Sequence, residues 1–235
     1  MKIEIWSDVM CPFCYIGKRH FEEALNKFEH KDKLDIEWKS FQLDPTLPQE
    51  SIYSYTGYLA QKRNVSEEQA LEMLSQVENM AKDAGLTYHM AQSIIVNSFN
   101  AHRVIQYAKE HNKGDEMEES LFKAFFTDGQ NIADPNLLSN LATQIGLSKE
   151  GVETALADDK YAYAVRSDID EARQIGVTGV PFFVMDRKIA VSGAQPSNHI
   201  LDTINKAFSQ WSSNQSNPII EISNGNSCDI NGNCD

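Results

Sequence analysis

Asp8-Val9-Met10-Cys11-Pro12-Phe13-Cys14-Tyr15-Ile16-Gly17 is the stretch whose reading decides the fold. Just before it, residues 2–6 (KIEIW) alternate polar and apolar side chains, the period-two pattern of a half-buried strand. After it, Cys14, Phe21, Leu25 and Phe28 return at close to helical spacing. Cys11 therefore stands where a strand hands over to a helix. The unpaired N–H groups and positive dipole end of a helix favour a thiolate over a thiol there. The thiolate is both the attacking species and the better leaving group. Pro12 costs the helix no hydrogen bond, because first-turn donors are unpaired anyway. The spacing sets Cys14 in that first turn, where it can close a disulfide with Cys11 or displace a mixed one.

Working outward, residues 34–41 (LDIEWKSF) read as a second strand, broken by Asp44-Pro45 and Leu47-Pro48. From about 50 to 160 the signals are almost wholly helical. Ser66 with Gln69 forms a capping box ahead of Leu71, Leu74, Val77 and Ala81, with Gly85 as terminator. Ala101, Val104, Ile105 and Ala108 mark another helix, and Met117, Leu121, Ala124 and Phe125 a third. Asp134-Pro135 opens one that stops at Gly146, and Ser148 opens the next. Strand patterns return at 181–185 and 188–191, joined by Asp186-Arg187 as a hairpin, and a last helix presents Ile200, Ile204 and Trp211. Strands at both ends of a helical block imply one sheet closed by distant segments. The fold class expected is α/β, with a core built from residues 1–44 and 166–211, an all-helical insertion at 45–165, and a tail at 212–235.

Composition narrows the function. At 235 residues with 41% hydrophobic and 23% charged side chains, a packed interior is expected. A net charge of −13 with no basic run argues against nucleic acid, which demands clustered Lys and Arg. No segment approaches the ~20 apolar residues that span a bilayer. Lys2, Glu4 and Asp8 interrupt any apolar run at the amino terminus, so no secretory signal is read there and a cytoplasmic location is expected.

The four cysteines, 11, 14, 228 and 234, form two tight pairs at opposite ends of the chain. A structural disulfide framework would spread its crosslinks, so paired cysteines point to catalysis, redox sensing or metal. A tetracysteine zinc site is the competing reading of Cys11 and Cys14. Zinc knuckles usually space each pair by two to four residues, whereas five separate Cys228 from Cys234. No metal is therefore expected. The Asn/Ser/Gly-rich tail cannot bury enough apolar surface to fold alone, although residues 218–222 (PIIEI) suit a sheet edge. Its cysteines read either as a second redox pair exchanging electrons with Cys11–Cys14 or as a local staple.

Gly179-Val180-Pro181-Phe182-Phe183 carries the second chemical signal. A proline opening a strand is ordinarily an edge or turn device. Beside a dithiol, a cis Val180–Pro181 bond would instead leave backbone groups free to pair with an extended substrate. Pro12, Phe13, Val180 and Pro181 are thus the expected substrate-facing residues.

Together these motifs resemble the DsbA-like branch of the thioredoxin superfamily over about residues 1–211. Asp8 to Gly17, Asn100-Ala101-His102-Arg103, Gly179 to Phe183 and Ser192-Gly193-Ala194-Gln195 are similar to FrnE-type proteins. That resemblance implies a thioredoxin-like fold with a helical insertion and cytoplasmic disulfide oxidoreductase or isomerase activity on protein thiols and disulfides. It implies Cys11 as nucleophile, Cys14 as resolving thiol and Pro181 as cis-proline. Cys228 and Cys234 look like the second pair some FrnE-type proteins carry, though their gap departs from that pattern. The kappa-class glutathione transferase and hydroxychromene-carboxylate isomerase group shares the fold and uses glutathione, but typically has Ser where Cys11 stands. No cofactor is expected, with glutathione as the redox partner this second resemblance adds.

Asp8 reads as a helix cap ahead of the alternative that it tunes the thiol, since a nearby carboxylate would oppose the helix by raising a cysteine pKa; His102 and Asn100 read as surface or packing residues of a helix, and His20 likewise. Trp6 and Tyr15 read as packing around the dithiol.

Overall fold

A computed structural model describes residues 1–48 and 54–216. Cys228, Cys234 and residues 218–222 lie outside the described residues, so the readings placed on them are carried forward only as proposals. The sheet has the order β2-β1-β3-β4. Strand β1 (Lys2–Ser7) runs parallel to β2 (Asp35–Ser40), with Ile3 opposite Ile36 and Ser7 opposite Ser40. Strand β3 (Phe182–Met185) pairs antiparallel with β1, and β4 (Ile189–Ser192) with β3. Segments more than 140 residues apart thus meet in one sheet, as the two-ended strand pattern predicts.

Side-chain alternation along β1 sends Ile3, Ile5 and Ser7 to one face and Glu4 and Trp6 to the other. The first face is covered by α1 (Pro12–Lys27) and α9 (Ser197–Ser216). Ile3, Ile5, Phe21, Phe183, Ile200 and Ile204 form its core. On the second face Trp6 packs with Val184, Val177 and Ala172 under α8 (Asp159–Gln174). The expected segment boundary at 165 falls inside α8, so the chain passes from the helical block to the sheet along one continuous helix.

The helical block comprises α2 (Tyr55–Arg63), α3 (Glu67–Asp83), α4 (Phe99–Glu110), α5 (Gly114–Phe122), α6 (Pro135–Gln144) and α7 (Lys149–Ala157). Its starts follow the sequence: Ser66 and Gln69 make the reciprocal capping box, Asp134 caps α6 through Asn136 N–H, and Ser148 caps α7 through Gly151 N–H. A π-helical turn, Lys123–Thr127, follows α5 and turns Phe125 and Phe126 inward. Fully burying a phenylalanine contributes about 1.5–3 kcal/mol, and Phe122, Phe125 and Phe126 are all 0% exposed. They share one core with Val9, Met10, Cys11, Cys14 and Tyr15, so the block is packed directly onto the dithiol loop.

The hairpin differs slightly from its sequence reading. Asp186 and Arg187 take left-handed φ angles of 50° and 55°, and Lys188 joins the turn by donating its N–H to the Met185 carbonyl. The second strand therefore begins at Ile189, and the first at Phe182, because Pro181 has no N–H to give the ladder.

Candidate active site

Past the end of β1 the chain turns sharply, with Cys11 N–H donating to the Asp8 carbonyl at 2.8 Å. Cys11 is the residue flanking the start of α1 (φ −87°, ψ 113°), Pro12 is the first helical residue, and Cys14 N–H closes onto the Cys11 carbonyl at 2.9 Å. Strand, turn and helix thus place the two cysteines as the sequence predicts. Both are free thiols, Cys11 3% exposed and Cys14 0%. Burial pushes the Cys14 thiol well above its usual range, and its neighbour Cys11 adds to the effect.

The Val180–Pro181 peptide bond is cis, and the Cys11 thiol lies 3.4 Å from the Val180 carbonyl. Three sequence segments converge here. Pro181 is buried against Gly17 in α1, and its carbonyl accepts from Gly193 N–H at 2.8 Å. The Gln195 carbonyl in turn meets His20 Nδ1 at 2.9 Å. Only a hydrogen fits at residue 17: an added Cβ would sit 2.8 Å from Pro181 Cγ and 3.6 Å from Ala194 Cα. A proline ring cannot swing aside, so Gly17→Ala is expected to displace Pro181 from Cys11. Such misplacement costs on the order of ten- to a hundredfold in turnover. Steady-state disulfide exchange, with circular dichroism to show the fold intact, checks this.

Of the expected substrate-facing residues, Phe13 is 38% exposed and Val180 is half-buried, while Pro181 is buried. Pro12 is turned inward, and its carbonyl accepts from the Tyr88 hydroxyl at 2.8 Å. Tyr88 stacks on Phe126, and Tyr15 on Phe122, so aromatic residues of the helical block wall the dithiol. Burial holds the Tyr88 and Tyr55 hydroxyls above their usual range, with Cys11 acting in the same direction on both. Tyr15 and Trp6 are packing residues, as expected; the Trp6 indole N–H also donates to the Asp168 carbonyl.

One expectation is corrected. Asp8 does not cap α1, whose start has no side-chain cap. Its carboxylate instead accepts from Met10 N–H at 3.2 Å and from Leu43 N–H at 2.8 Å, tying the cysteine loop to the chain beyond β2. Of the two readings of His102, surface or packing, the structure has the second: it is 1% exposed, with Nε2 3.4 Å from Asp8 Oδ1. Two further residues escaped the sequence reading. Ser7 at the end of β1 and Glu118 on α5 are each 1% exposed, and burial raises the Glu118 carboxyl to about 7. A serine in a strand and an acid in a charged helix carry no pattern that marks them as buried.

Lys18 is also buried and is held charged by its contacts. Burial opposes its proton, but Asp115 at 2.8 Å and Glu22 outweigh that cost. With Arg19 bonded to Glu119, these pairs fasten α1 to α5 behind the site.

Comparison with known proteins adds an independent line. The profile of the DSBA-like thioredoxin domain matches residues 2–205. The uncharacterized protein YwbO of Bacillus subtilis (strain 168) is 30% identical over 186 residues, 78% of this chain and 86% of that protein. A probable DsbA oxidoreductase, SCO1869 from Streptomyces coelicolor, is 34% identical with a TM-score of 0.86, covering 100% of this chain and 98% of that one. The cytosolic disulfide reductase DsbM of Pseudomonas aeruginosa, solved with GSH, shares the fold at 13% identity and a TM-score of 0.62, over 92% of this chain and 100% of its own. Among the described residues no helix is long and apolar enough to cross a membrane.

Proposed function

The chain belongs to the DsbA-like thioredoxin domain family, and from that premise we propose that it is a thiol–disulfide oxidoreductase or isomerase of protein disulfides, of the FrnE type, working through Cys11 and Cys14. One observation carries the reading: Cys11 sits at a helix start 3.4 Å from the Val180 carbonyl, with Cys14 buried behind it. A substrate chain laid along Val180 and Phe13 brings its sulfur to Cys11. The Cys11 thiolate attacks a substrate disulfide, forming a mixed disulfide and releasing one substrate thiolate. Cys14 then attacks Cys11 Sγ, closing the Cys11–Cys14 disulfide and releasing the second. Run backwards, the same steps insert a disulfide, and release before resolution allows isomerisation. The reduction potential against the compartment sets the direction, about 30 mV corresponding to about 1.4 kcal/mol.

Further parts belong to the same proposal. Cys228 and Cys234 exchange electrons with the dithiol, a role suited to a small Asn/Gly-rich loop. The setting is cytoplasmic, consistent with cysteines confined to two tight pairs, and glutathione is the small-molecule redox partner. Wild-type protein is expected to reduce insulin and to restore scrambled ribonuclease, with mass spectrometry finding Cys11 joined to Cys14 when oxidised. Tight glutathione binding with turnover of small electrophiles, and no effect on either protein, would replace this reading with a glutathione-dependent transferase or isomerase. A Cys228→Ser/Cys234→Ser variant that cycles as fast as the parent would remove the relay.

A further inference from the structure

The sheet ends on one side at a strand with no neighbour. Strand β2 is the first in the order β2-β1-β3-β4, and among the described residues no strand pairs with its outer side. The Asp35 N–H donates to the Met1 carbonyl, and the Phe41 N–H just past the strand to the Ser7 carbonyl. Main-chain groups alternate in direction along a paired strand. Asp35, Glu37 and Lys39 therefore turn theirs toward β1, and Ile36, Trp38 and Ser40 turn theirs outward. The Ser40 N–H is taken by the Asp168 carboxylate at 3.0 Å. The outer edge at Ile36 has no such cover among the described residues.

A cleft of about 540 Å³ follows that edge. Four consecutive residues of β2, Asp35 to Trp38, line it, whereas a cleft over one face of the sheet would meet only alternate side chains. Phe21 and Leu25 of α1 join Ile36 and Trp38 in an apolar floor, and Gly114 at the start of α5 lies across from them. Ile36, 38% exposed, and Leu25 also line a second hollow of about 580 Å³, so the apolar strip continues toward Lys31 and Asp32.

The rim is predominantly acidic. Glu22, Asp35, Glu37, Asp115 and Glu116 border the cleft against two cations, Lys18 and Lys109. Both cations are already engaged: Lys18 Nζ lies 2.8 Å from Asp115, and Lys109 Nζ 2.9 Å from Glu37. Exposed sheet edges are commonly guarded by charge, lysine above all. A guard of carboxylates repels acidic chains and attracts basic ones.

We propose that this edge docks an extended, basic segment of another protein, which adds to β2 as a fifth strand. Main-chain hydrogen bonds to Ile36 hold the segment in the manner of strand addition. Its apolar side chains pack on Ile36, Leu25 and Phe21, and its Lys or Arg side chains meet the carboxylate rim. Charge decides against the two occupants nearest to hand. Residues 217–235 carry Glu221, Asp229 and Asp235 and no Lys or Arg, and a second copy brings the same carboxylates with a net charge of −13. The cleft is set apart from the dithiol: at a rise of about 1.5 Å per residue, Glu22 lies about 16 Å along α1 from Cys11. Docking there needs neither cysteine, so the inference goes beyond the function proposed above and does not rest on it.

An eight-residue peptide alternating valine and lysine, labelled for fluorescence anisotropy, is the probe. Wild type and Cys11→Ser are expected to bind it equally. The same peptide with glutamate for lysine should bind at least about tenfold more weakly, the difference shrinking at high salt. Ile36→Pro should weaken the lysine peptide by about tenfold, since proline is tolerated on an edge strand where the N–H faces outward. Asp35→Lys/Glu116→Lys should weaken the lysine peptide as much and strengthen the glutamate one. No binding at millimolar peptide, equal affinity for both peptides, or affinities unmoved by these variants would overturn the inference. Amide exchange of Ile36 in full-length wild type, followed by NMR, needs no variant to fold. Fast exchange that slows on adding the lysine peptide is expected. Protection without peptide would overturn the inference, assigning the edge to residues 217–235 if independent of protein concentration and to a second copy if it grows with concentration.

Discussion

Cys11→Ser is expected to abolish disulfide exchange, with a loss of at least about a thousandfold, whereas Cys14→Ser is expected to stall after one covalent step. The difference follows from access. Cys11 keeps a 3% exposed edge beside the Val180 carbonyl, while Cys14 is 0% exposed behind it. Substrate sulfur can therefore meet only Cys11, and a serine hydroxyl there is not ionised near neutrality and cannot replace a thiolate. With Cys11 intact and Cys14 replaced, attack still proceeds but nothing displaces the substrate. Protein–substrate mixed disulfides should then accumulate to near one per chain, visible by non-reducing electrophoresis and mass spectrometry and released by dithiothreitol. Rapid turnover by Cys14→Ser without added thiol would contradict the assignment of Cys14 as resolving group. Equal trapping through Cys14 in Cys11→Ser would contradict the order of attack.

The second large effect is on stability, and it has the opposite sign from most core substitutions. Glu118 has an ordinary value of 4.5 when the chain is unfolded and about 7 in the folded protein, chiefly because burial penalises its charge. Between those two values the native state holds a proton that the unfolded state has released. Stability therefore falls as pH rises from about 4.5 through 7, then levels off. At about 1.4 kcal/mol per pH unit, this gap of roughly 2.5 pH units corresponds to about 3 kcal/mol. Glu118→Gln removes that titration. It should be more stable than wild type at pH 8, by up to about 3 kcal/mol, with the advantage shrinking toward pH 4. Urea unfolding at pH 4, 6 and 8 tests it through the change in the difference, which a constant cost of burying the amide does not alter. Parallel curves for the two proteins would show that folding leaves the proton affinity of Glu118 unchanged.

Such a gain in stability is what removing an incompletely compensated buried charge produces. His102 and Asp8 reinforce the point. Asp8 accepts two backbone N–H groups and faces the imidazole from within the core, an arrangement that holds the loop bearing Cys11 against the helical block.

How much of this was legible beforehand depended on whether a signal is local. Helix starts such as Ser66, Asp134 and Ser148 are written in neighbouring residues, because a cap satisfies N–H groups two or three positions away. The hairpin was readable for the same reason, and missed its second strand by one residue only because Lys188 closes the turn. Asp8 was misread because carboxylates before a helix usually cap it, whereas here Leu43, distant in sequence, competes for the oxygen and wins. His102 sits on a helix whose polar residues include buried Gln106, so periodicity could not say which faced inward.

The amino-acid sequence by itself determined the strand–turn–helix that carries Cys11 and Cys14, the sheet assembled from both ends of the chain, and the approach of Val180-Pro181 to the dithiol. Each is set by short-range periodicity, by turn chemistry or by a motif whose parts have one way to meet. Only the tertiary structure decided that Gly17 leaves room for Pro181, that aromatic residues of the helical block enclose the thiols, and that Ser7 and Glu118 are buried. Those facts depend on which residues of distant elements share a few ångströms of desolvated space. No local rule reports that, because burial and proton affinity are properties of the packed surroundings, not of the residue.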